Sequence, residues 1–287
     1  MRIAILGFGL IGGSIARAIR ERGPGGPPAH AVTAWSRTPD GPRAALAVGL
    51  VDGAPASLGA AIEDAELVVL AAPPLACLEL IDEIGPLRGA GLGPDATVTD
   101  VASTKRAIVE RADAARLRFV GGHPMAGREV SGYEASTADL FVDRPWVVCP
   151  GEHATDPDLA RVEDLVRACG ARSVRIDPAD HDAAAAAISH VPLVVSAALV
   201  EALTGGSAWP VAATLVASGW RDMTRLARGD PEMGAGIAVT NAAEVGRGLR
   251  AVRAMLDAWV DALDAAEPDP EALAARFAEA RARIEAP

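Results

Sequence analysis

The sequence predicts an α/β fold in which a doubly wound, mostly parallel sheet is followed by an all-α region. Short β-rich runs alternate with amphipathic stretches up to Asp177, a glycine-rich turn follows the first run, and only helical periodicity follows Ala179. Alternation of this kind is typical of βαβ units, whose strands lie parallel in one sheet. We therefore expect one domain over residues 1–177 and a second, helical domain over residues 178–287.

These patterns place the elements along the chain. The predicted strands cover residues 3–6, 31–35, 67–71, 97–99, 118–120, 146–149 and 173–176, with helices between several of them, for example over 11–22 and 105–115. The Pro- and Gly-rich stretch 23–29 is a connecting loop. In the second domain, "SHVPLVVSAALVEAL" predicts a buried helix with Pro192 inside it or at its start. So much apolar helical surface favours burial against a second subunit, which a monomeric mass in light scattering would refute.

Composition narrows the function class. The 287 residues carry a net charge of −11, with a sequence pI near 5.0, which argues against nucleic acid and anionic membranes as partners. No uninterrupted apolar run approaches the roughly 18 residues of a membrane span. The start, "MRIAILGFG", lacks a signal-peptide cleavage region and predicts a strand. The cysteines Cys77, Cys149 and Cys169 are scattered and not in metal spacing, which favours reduced, buried thiols in the cytoplasm and no metal site.

The stretch "GFGLIG" at residues 7–12 predicts a dinucleotide-binding turn, because it follows the first strand and opens a helix. Gly7 permits the tight turn, Gly9 lets the backbone approach a diphosphate, and Gly12 lets helix and strand pack closely. Leu10 and Ile11 open the helix, whose free N–H groups would face the phosphates. The alternative is a plain glycine-rich turn. With the alternating pattern, the motif predicts a Rossmann-type domain.

The end of the second strand indicates which dinucleotide is used. An NAD site usually has Asp or Glu there, about 20 residues past the glycines, to bind the ribose 2′-hydroxyl. Here Ser36 and Arg37 occupy the place of interest, and no carboxylate follows until Asp40. A hydroxyl and a guanidinium suit a 2′-phosphate, which a carboxylate would repel. The sequence therefore favours NADP. The alternative is that Arg37 is merely solvated and NAD is tolerated.

Three polar stretches follow predicted strands at the carboxyl edge of the sheet, where ligands of open α/β sheets bind. They are "AAPP", "TDVASTK" and "GGHPMAG". Pro73 can stiffen a turn beneath the nicotinamide. Ser103 either contacts the ligand or caps the next helix. His123 is either an ordinary loop histidine or a base, since a usual imidazole pKa of about 6.5 leaves the ring largely neutral at pH 7.

Several motifs occur together in the order seen in the TyrA family of prephenate, arogenate and cyclohexadienyl dehydrogenases. They are "GFGLIGGS", "TDVASTK", "GGHPMAG", "ADHD", "ISHVP", "GWRDMTRLA" and "GDPEMG", and the resemblance covers about residues 1–250. The chain looks most like compact, NADP-linked arogenate dehydrogenases without an ACT domain. The resemblance implies a Rossmann domain, a C-terminal helical dimerisation domain and a homodimer. It also implies a cytoplasmic oxidoreductase of tyrosine biosynthesis that decarboxylates arogenate or prephenate while reducing NADP.

The resemblance also assigns roles to individual residues. His123 matches the base that takes the proton of the substrate C4 hydroxyl, with Ser103 as a nearby hydrogen-bond partner. His190 matches another active-site histidine. Arg225 matches the arginine that binds a carboxylate of the dianionic substrate. Glu129 matches an acidic residue associated with gating of the site.

The residues alone leave other readings open for two of these positions. His190 is equally well explained as a core histidine before a helix proline. Arg221 and Arg225 are four apart, which favours one solvated helical face on which Asp222 pairs with Arg225.

Two departures from the family pattern bear on the substrate. Arg128 occupies a position often held by threonine, and Gly234 stands where prephenate-type members often have tryptophan. The second departure favours arogenate, with aminodeoxyprephenate dehydrogenases of secondary metabolism as an alternative. A β-hydroxyacid dehydrogenase is another, although that class uses a lysine in its second domain and Lys105 is the only lysine here. The third alternative is a cofactor-sensing binding protein, against which the joint presence of the catalytic residues argues.

Overall fold

The computed structural model describes residues 1–21, 30–127 and 132–285, and within them the chain folds around one seven-stranded sheet. The strands are β1 (Arg2–Leu6), β2 (Ala31–Trp35), β3 (Leu67–Leu70), β4 (Thr97–Asp100), β5 (Phe119–Pro124), β6 (Pro145–Pro150) and β7 (Arg172–Arg175). Their order is β2-β1-β3-β4-β5-β6-β7. All neighbouring pairs are parallel except β5 and β6. The predicted α/β class with a mostly parallel sheet is confirmed.

Helices connect the strands and then form the whole described C-terminal part. They are α1 (Leu10–Glu21), α2 (Asp40–Ala47), α3 (Leu58–Ile62), α4 (Pro74–Ile84), α5 (Arg106–Ala114), α6 (Asp156–Ala168), α7 (Pro178–Ala185), α8 (Val191–Thr204), α9 (Trp209–Ala212), α10 (Ser218–Met223), α11 (Pro231–Thr240), α12 (Ala242–Leu263) and α13 (Pro270–Glu285). A π-helical turn, Ala186–His190, joins α7 to α8. Of the predicted connecting loop 23–29, all seven positions lie outside the described residues.

Apolar side chains alternate between the two faces of the sheet, and each face builds its own core. Ile3 and Ile5 of β1 lie in one core, whereas Ala4 and Leu6 lie in the other. β3 is buried along its whole length, as expected for a strand covered on both faces. The carboxyl ends of the parallel strands β1 to β5 meet at one edge, and the polar stretches of the sequence follow them there.

β5 is longer than the sequence predicts, which changes the setting of "GGHPMAG". The strand extends to Pro124 because Gly122 and His123 pair with two valines of the antiparallel strand β6. The expectation of a loop histidine is therefore wrong, and His123 lies within a strand. The glycine serves close packing rather than a turn, since a Cβ on Gly122 would lie 2.5 Å from the backbone oxygen of Asp100.

The helical run over residues 178–204, from α7 to α8, is long and apolar enough to cross a membrane by length and composition. The sequence expectation excluded such a segment because it considered only uninterrupted apolar runs, and the alanines of α7 extend this one. The first half of the run, however, carries the buried polar residues His181, Asp182 and His190. His181 bonds to Asp182 and to a side chain of β5, and His190 bonds to Asn241. Pro192 lies in the first turn of α8.

The predicted burial of α8 is wrong for the single chain. Only Val191 and Ser196 of this helix are buried, and Leu203 is exposed. The other residues of α8 are half-buried or exposed, because the turn Leu226–Arg228 and α12 cover the helix only in part.

Hydrogen bonds join the helical part to the sheet. The Asp182 carboxylate in α7 accepts bonds from the backbone N–H groups of Lys105, at 2.7 Å, and Arg106, at 3.0 Å. The hydroxyls of Thr104 and Thr240 lie 2.8 Å apart. These contacts fix the start of α7 against the start of α5, at the carboxyl edge of the sheet.

We expect Gly122→Ala to lower the free energy of unfolding by about 1–3 kcal/mol, because the new Cβ would press on a backbone carbonyl of β4. Urea denaturation followed by circular dichroism measures the loss. Gly93→Ala is the matched control, since a Cβ there would meet no atom within 4 Å. Equal unfolding midpoints for the two variants would contradict the packing role of Gly122.

Candidate active site

The glycine-rich turn after β1 has the shape of a diphosphate-binding loop. Gly7 adopts φ +96°, and a Cβ there would lie 2.3 Å from the Ala71 carbonyl oxygen. A Cβ on Gly12 would lie 2.4 Å from the Gly7 oxygen, so this glycine lets α1 pack on β1. A Cβ on Gly9, by contrast, would meet no atom within 4 Å. The turn is therefore closed by protein at two glycines and open at the third.

The N-terminus of α1 adds donors to this open side. The helix begins at Leu10, followed by Ile11, and its first backbone N–H groups have no partner within the helix. Free N–H groups and the helix dipole together favour an anion. Pro73 precedes α4, in the connection that follows β3, the strand next to β1. The residues present thus fit a dinucleotide, with its diphosphate at the start of α1.

Ser36 and Arg37 follow β2, as predicted, and the side chains of both already have protein partners. The Ser36 hydroxyl donates to the Thr38 carbonyl. The Arg37 guanidinium binds two carboxylates of α4, Glu79 at 2.7 Å and Glu83 at 3.3 Å. All three charged side chains are exposed, and exposed ion pairs contribute only about 0–1 kcal/mol. A stronger anion could therefore take these guanidinium donors at small cost.

A second arginine stands near the same place. Arg43 of α2 lines a pocket of about 170 Å³ together with Trp35, Ser36 and Arg37. The sequence prediction did not select Arg43, because it looked only at the residues directly after the strand. Arg43 lies in α2, and only the fold brings it next to the residues at the end of β2.

His123 belongs to a hydrogen-bonded chain of three side chains. Its Nδ1 lies 2.8 Å from Nε2 of His181, and Nδ1 of His181 lies 2.8 Å from an oxygen of Asp182. The two imidazole rings meet edge to face, at 75°. Burial is the main cause, followed by unfavourable electrostatic interactions with the neighbouring His181, Lys105 and His190, and together they lower the pKa of His123 well below its usual value. A neutral ring at pH 7 is the state that a base requires.

A buried ion pair lies beneath this chain. Lys105 and Asp100 are both fully buried and paired with each other. The Asp100 carboxylate also accepts the backbone N–H groups of Gly122, at 3.0 Å, and Ala102, at 2.9 Å. Because Gly122 precedes His123, the pair holds the backbone of the candidate base. It also places a positive charge near the His123 ring, which favours the neutral imidazole.

Ser103 does not cap the next helix, so this alternative for Ser103 is wrong. α5 begins at Arg106, and its first N–H groups are bound by Asp182 instead. The Ser103 hydroxyl is buried and has no hydrogen-bond partner among the described residues. A buried hydroxyl without a partner costs about 1–3 kcal/mol, so a ligand group that satisfies it would be favoured.

His190 is buried, but only one of its two ring nitrogens has a hydrogen-bond partner among the described residues. Its Nδ1 lies 3.1 Å from the Asn241 amide, which also donates to the Asp182 carbonyl at 2.8 Å. Its Nε2 is buried with no hydrogen-bond partner in the described chain, and the backbone of Ser103 lies beside the ring. Burial lowers the pKa of His190 to about 4. The π turn that carries it is a feature frequent at functional sites.

Arg225 lies on an exposed turn, outside the buried chain of His123, His181 and Asp182. α10 ends at Met223, so the expectation that Arg221 and Arg225 share one helical face is wrong. The Ser196 hydroxyl of α8 holds the turn, since it donates to the Met223 carbonyl at 2.9 Å and accepts the Ala227 N–H at 3.1 Å. Glu129 and Arg128 lie outside the described residues.

The sequence analysis did not predict three residues that bond to His123, to His190 or to each other, namely His181, Asp182 and Asn241. With His123 and His190 they form a cluster of buried and half-buried polar side chains. The motif "ADHD" contains His181 and Asp182 and was used only as a mark of resemblance. The sequence did offer a signal for a polar site, since an imidazole and a carboxylate are adjacent there in a stretch that predicts a helix. Asn241 gave no signal, because its partners are 51 and 59 residues away in sequence.

Comparison with known proteins points in the same direction. The model of the prephenate dehydrogenase nucleotide-binding domain matches residues 15–175, and that of the prephenate dehydrogenase dimerization domain matches residues 177–279. Prephenate dehydrogenase of Bacillus subtilis (strain 168) is 33% identical over 235 residues, which cover 80% of this chain. The chain spans 62% of the length of that relative.

Two solved structures are similar over almost the whole chain. The crystal structure of Synechocystis arogenate dehydrogenase has a TM-score of 0.79 and 33% identity, covering 99% of this chain and 100% of that one. Aquifex aeolicus prephenate dehydrogenase, in complex with hydroxyphenyl propionate and NAD⁺, has a TM-score of 0.87 and 27% identity, covering 99% and 98%.

Proposed function

This chain belongs to the prephenate dehydrogenase family, and from this we propose that it catalyses the oxidative decarboxylation of arogenate or prephenate with reduction of NADP. The observation that supports the proposal most is the neutral, hydrogen-bonded His123 on β5. It lies at the same edge of the sheet as the glycine-rich turn, where a cofactor and a substrate would meet.

The substrate chemistry gives each residue a task. Arogenate and prephenate carry a hydroxyl at C4 and a carboxylate on the quaternary ring carbon. A nicotinamide cofactor, held at the glycine-rich turn after β1, would supply the acceptor for the hydride that leaves C4. His123 takes the hydroxyl proton on Nε2 as the carbonyl develops, a contribution typically of 10²–10⁴-fold. Loss of CO₂ then restores an aromatic ring, which needs little further help from the protein.

The remaining site residues orient the substrate in this proposal. Ser103 and His190 each hold a buried polar atom without a partner in the described chain, and these atoms suit the hydroxyl. Arg225 binds a substrate carboxylate, for which its forked guanidinium is adapted. Glu129 gates the site. Gly234, where an added Cβ would lie 3.9 Å from the Leu193 side chain of α8, favours arogenate over prephenate.

The cofactor preference rests on the arginines near β2. Gly7, Gly9, Leu10, Ile11 and Gly12 would hold the diphosphate of either dinucleotide. Arg37, Arg43 and Ser36 line one pocket after β2, and none of the residues that line this pocket carries a carboxylate. We propose that a 2′-phosphate displaces Glu79 and Glu83 from Arg37, which makes NADP the preferred cofactor.

We also propose that the chain acts as a cytoplasmic homodimer, divided into a cofactor domain of residues 1–177 and a helical domain of residues 178–287. Several large apolar side chains of the helical part are exposed, among them Leu203, Val211, Leu215, Met255, Val260 and Phe277. Exposed apolar surface of this extent marks an interaction site. The matched domain model carries dimerization in its name. The free, buried cysteines support a reducing compartment, and the net charge of −11 opposes nucleic acid or anionic membranes as partners.

Initial rates of NADPH formation with arogenate and with prephenate test the reaction, and a simple 3-hydroxy acid serves as the control substrate. We expect turnover of at least one cyclohexadienyl substrate and none of the 3-hydroxy acid. His123→Asn should lower kcat by about 10²–10⁴-fold while cofactor affinity changes little, since the ring acts on the proton. Failure of folded wild-type protein to turn over either substrate would contradict the proposed function, and a near-normal kcat in His123→Asn would remove its base.

The cofactor proposal is tested by placing a carboxylate after β2. Ser36→Asp combined with Arg37→Ala should shift the ratio of kcat/KM for NADP over NAD towards NAD, because the new carboxylate repels a 2′-phosphate and binds a 2′-hydroxyl. Glu79→Gln is the control, since it removes one of the two carboxylates on Arg37 and adds no negative charge near the ribose. An unchanged ratio in the double variant would show that these residues do not select the cofactor.

A further inference from the structure

We propose that His181, anchored by Asp182, is a positioning residue that fixes the tautomer of His123 so that Nε2 of His123 is free to accept a proton. The reaction that this base serves rests on the proposed function, but the tautomer itself is a property of the folded chain. The evidence is the order of atoms along three side chains.

The hydrogen bonds can be assigned from one end. An ionised carboxylate only accepts, so the Asp182 oxygen 2.8 Å from Nδ1 of His181 requires a proton on that nitrogen. When this is the only proton on the His181 ring, Nε2 keeps a lone pair. This nitrogen lies 2.8 Å from Nδ1 of His123, which must therefore carry the proton of that bond. The proton on Nδ1 leaves Nε2 of a neutral His123 without one.

The assignment requires that Asp182 stays ionised, and its surroundings ensure this. Its carboxylate also accepts the backbone N–H groups of Lys105, at 2.7 Å, and Arg106, at 3.0 Å, which open α5. Burial alone would raise the pKa of Asp182, but the bonds from His181 and from these N–H groups hold it below its usual value. A helix N-terminus favours a negative charge as well.

The anchor is rigid on all sides. His181 is 3% exposed and Asp182 is 2% exposed. Asn241 donates to the Asp182 carbonyl at 2.8 Å, so the backbone of α7 is held from the side of α12. The edge-to-face contact of the two rings limits rotation of His123. A ring that cannot turn presents the same nitrogen to the substrate in every turnover.

The hydrogen bonds through His181 to Asp182 also stabilise the positive charge that His123 gains during the reaction. His123 becomes an imidazolium once it has taken the substrate proton, and Lys105 and His190 lie close enough to disfavour that charge. The hydrogen bond from its Nδ1 to His181, and from there to the Asp182 carboxylate, offsets it. The O–H bond of the substrate breaks, the Nε2–H bond of His123 forms, and Asp182 remains ionised throughout.

Two variants of His181 separate the acceptor from the anchor. His181→Gln can place an amide oxygen where Nε2 lies, which keeps an acceptor for His123. His181→Asn carries its amide near the position of Nδ1 and is too short to reach His123. The two variants have the same charge and similar polarity, so a merely structural role would not distinguish them. His153→Asn, outside the cluster, is the control.

Tautomers are read directly by two-bond ¹H–¹⁵N correlation spectra of protein labelled at histidine nitrogens. The chain has 5 histidines, and His123→Asn assigns the signal of interest. We expect His123 to carry its proton on Nδ1 in the wild type, in His181→Gln and in His153→Asn. In His181→Asn we expect the proton to move to Nε2, the form that a free imidazole side chain prefers in water.

Steady-state kinetics complete the test. His181→Asn should lower kcat by on the order of 10²-fold with little change in KM, while His181→Gln should recover at least a tenth of the wild-type kcat. A wild-type His123 with its proton on Nε2, or an unchanged tautomer in folded His181→Asn, would overturn the proposal. The spectra need no substrate, so they decide it even if neither arogenate nor prephenate is turned over.

Discussion

The carboxylate of Asp182, buried where α7 meets α5, is the contact on which the rest of the site depends. Its oxygens accept two backbone N–H groups from the first turn of α5 and the Nδ1 proton of His181. Hydrogen bonds to a charged group contribute about 1.5–3 kcal/mol each, and a buried carboxylate that lost them would carry a larger penalty. The same group thus closes a helix end, joins the helical part to the sheet and orients the imidazole chain. These three effects cannot be changed separately.

On the side of the sheet, a buried ion pair holds the backbone next to His123. Asp100 and Lys105 are fully buried together, and Asp100 holds the backbone N–H of Gly122 directly before His123. The ammonium of Lys105 and the burial of the ring both favour a neutral His123, whereas Asp182 acts through His181 to stabilise the charge that appears after proton transfer. His123 is therefore linked to both buried carboxylates, to Asp100 through the backbone of Gly122 and to Asp182 through His181. Such preorganisation restricts a base to one geometry and one protonation state before the substrate arrives.

Local patterns predicted the strands and the glycine-rich turn well, because period-two burial and a φ of +96° at Gly7 are properties of short segments. The errors arose where distant residues decide. His123 lies in a strand because the antiparallel β6 pairs with it. The carboxylate that caps α5 comes from Asp182, 76 residues away from Arg106. The Ser103 hydroxyl therefore does not cap this helix and has no partner among the described residues. α8 has the composition of a core helix, yet in the single chain most of its residues are only half-buried or exposed. The site roles of Ser103, Arg225 and Glu129 stay predictions.

The pH dependence of kcat/KM tests the central claim, that the half-buried His123, held neutral, is the base. A base works only when deprotonated, so activity falls as the pH drops through the pKa of His123 in the free enzyme. Because burial and the neighbouring charges lower this pKa well below its usual 6.5, we expect kcat/KM to stay level from pH 7.5 to below 6.5 and to fall only under more acidic conditions. In His123→Asn the residual activity should show no such acid limb. A limb centred at or above pH 6.5, or one that persists unchanged in His123→Asn, would contradict the account.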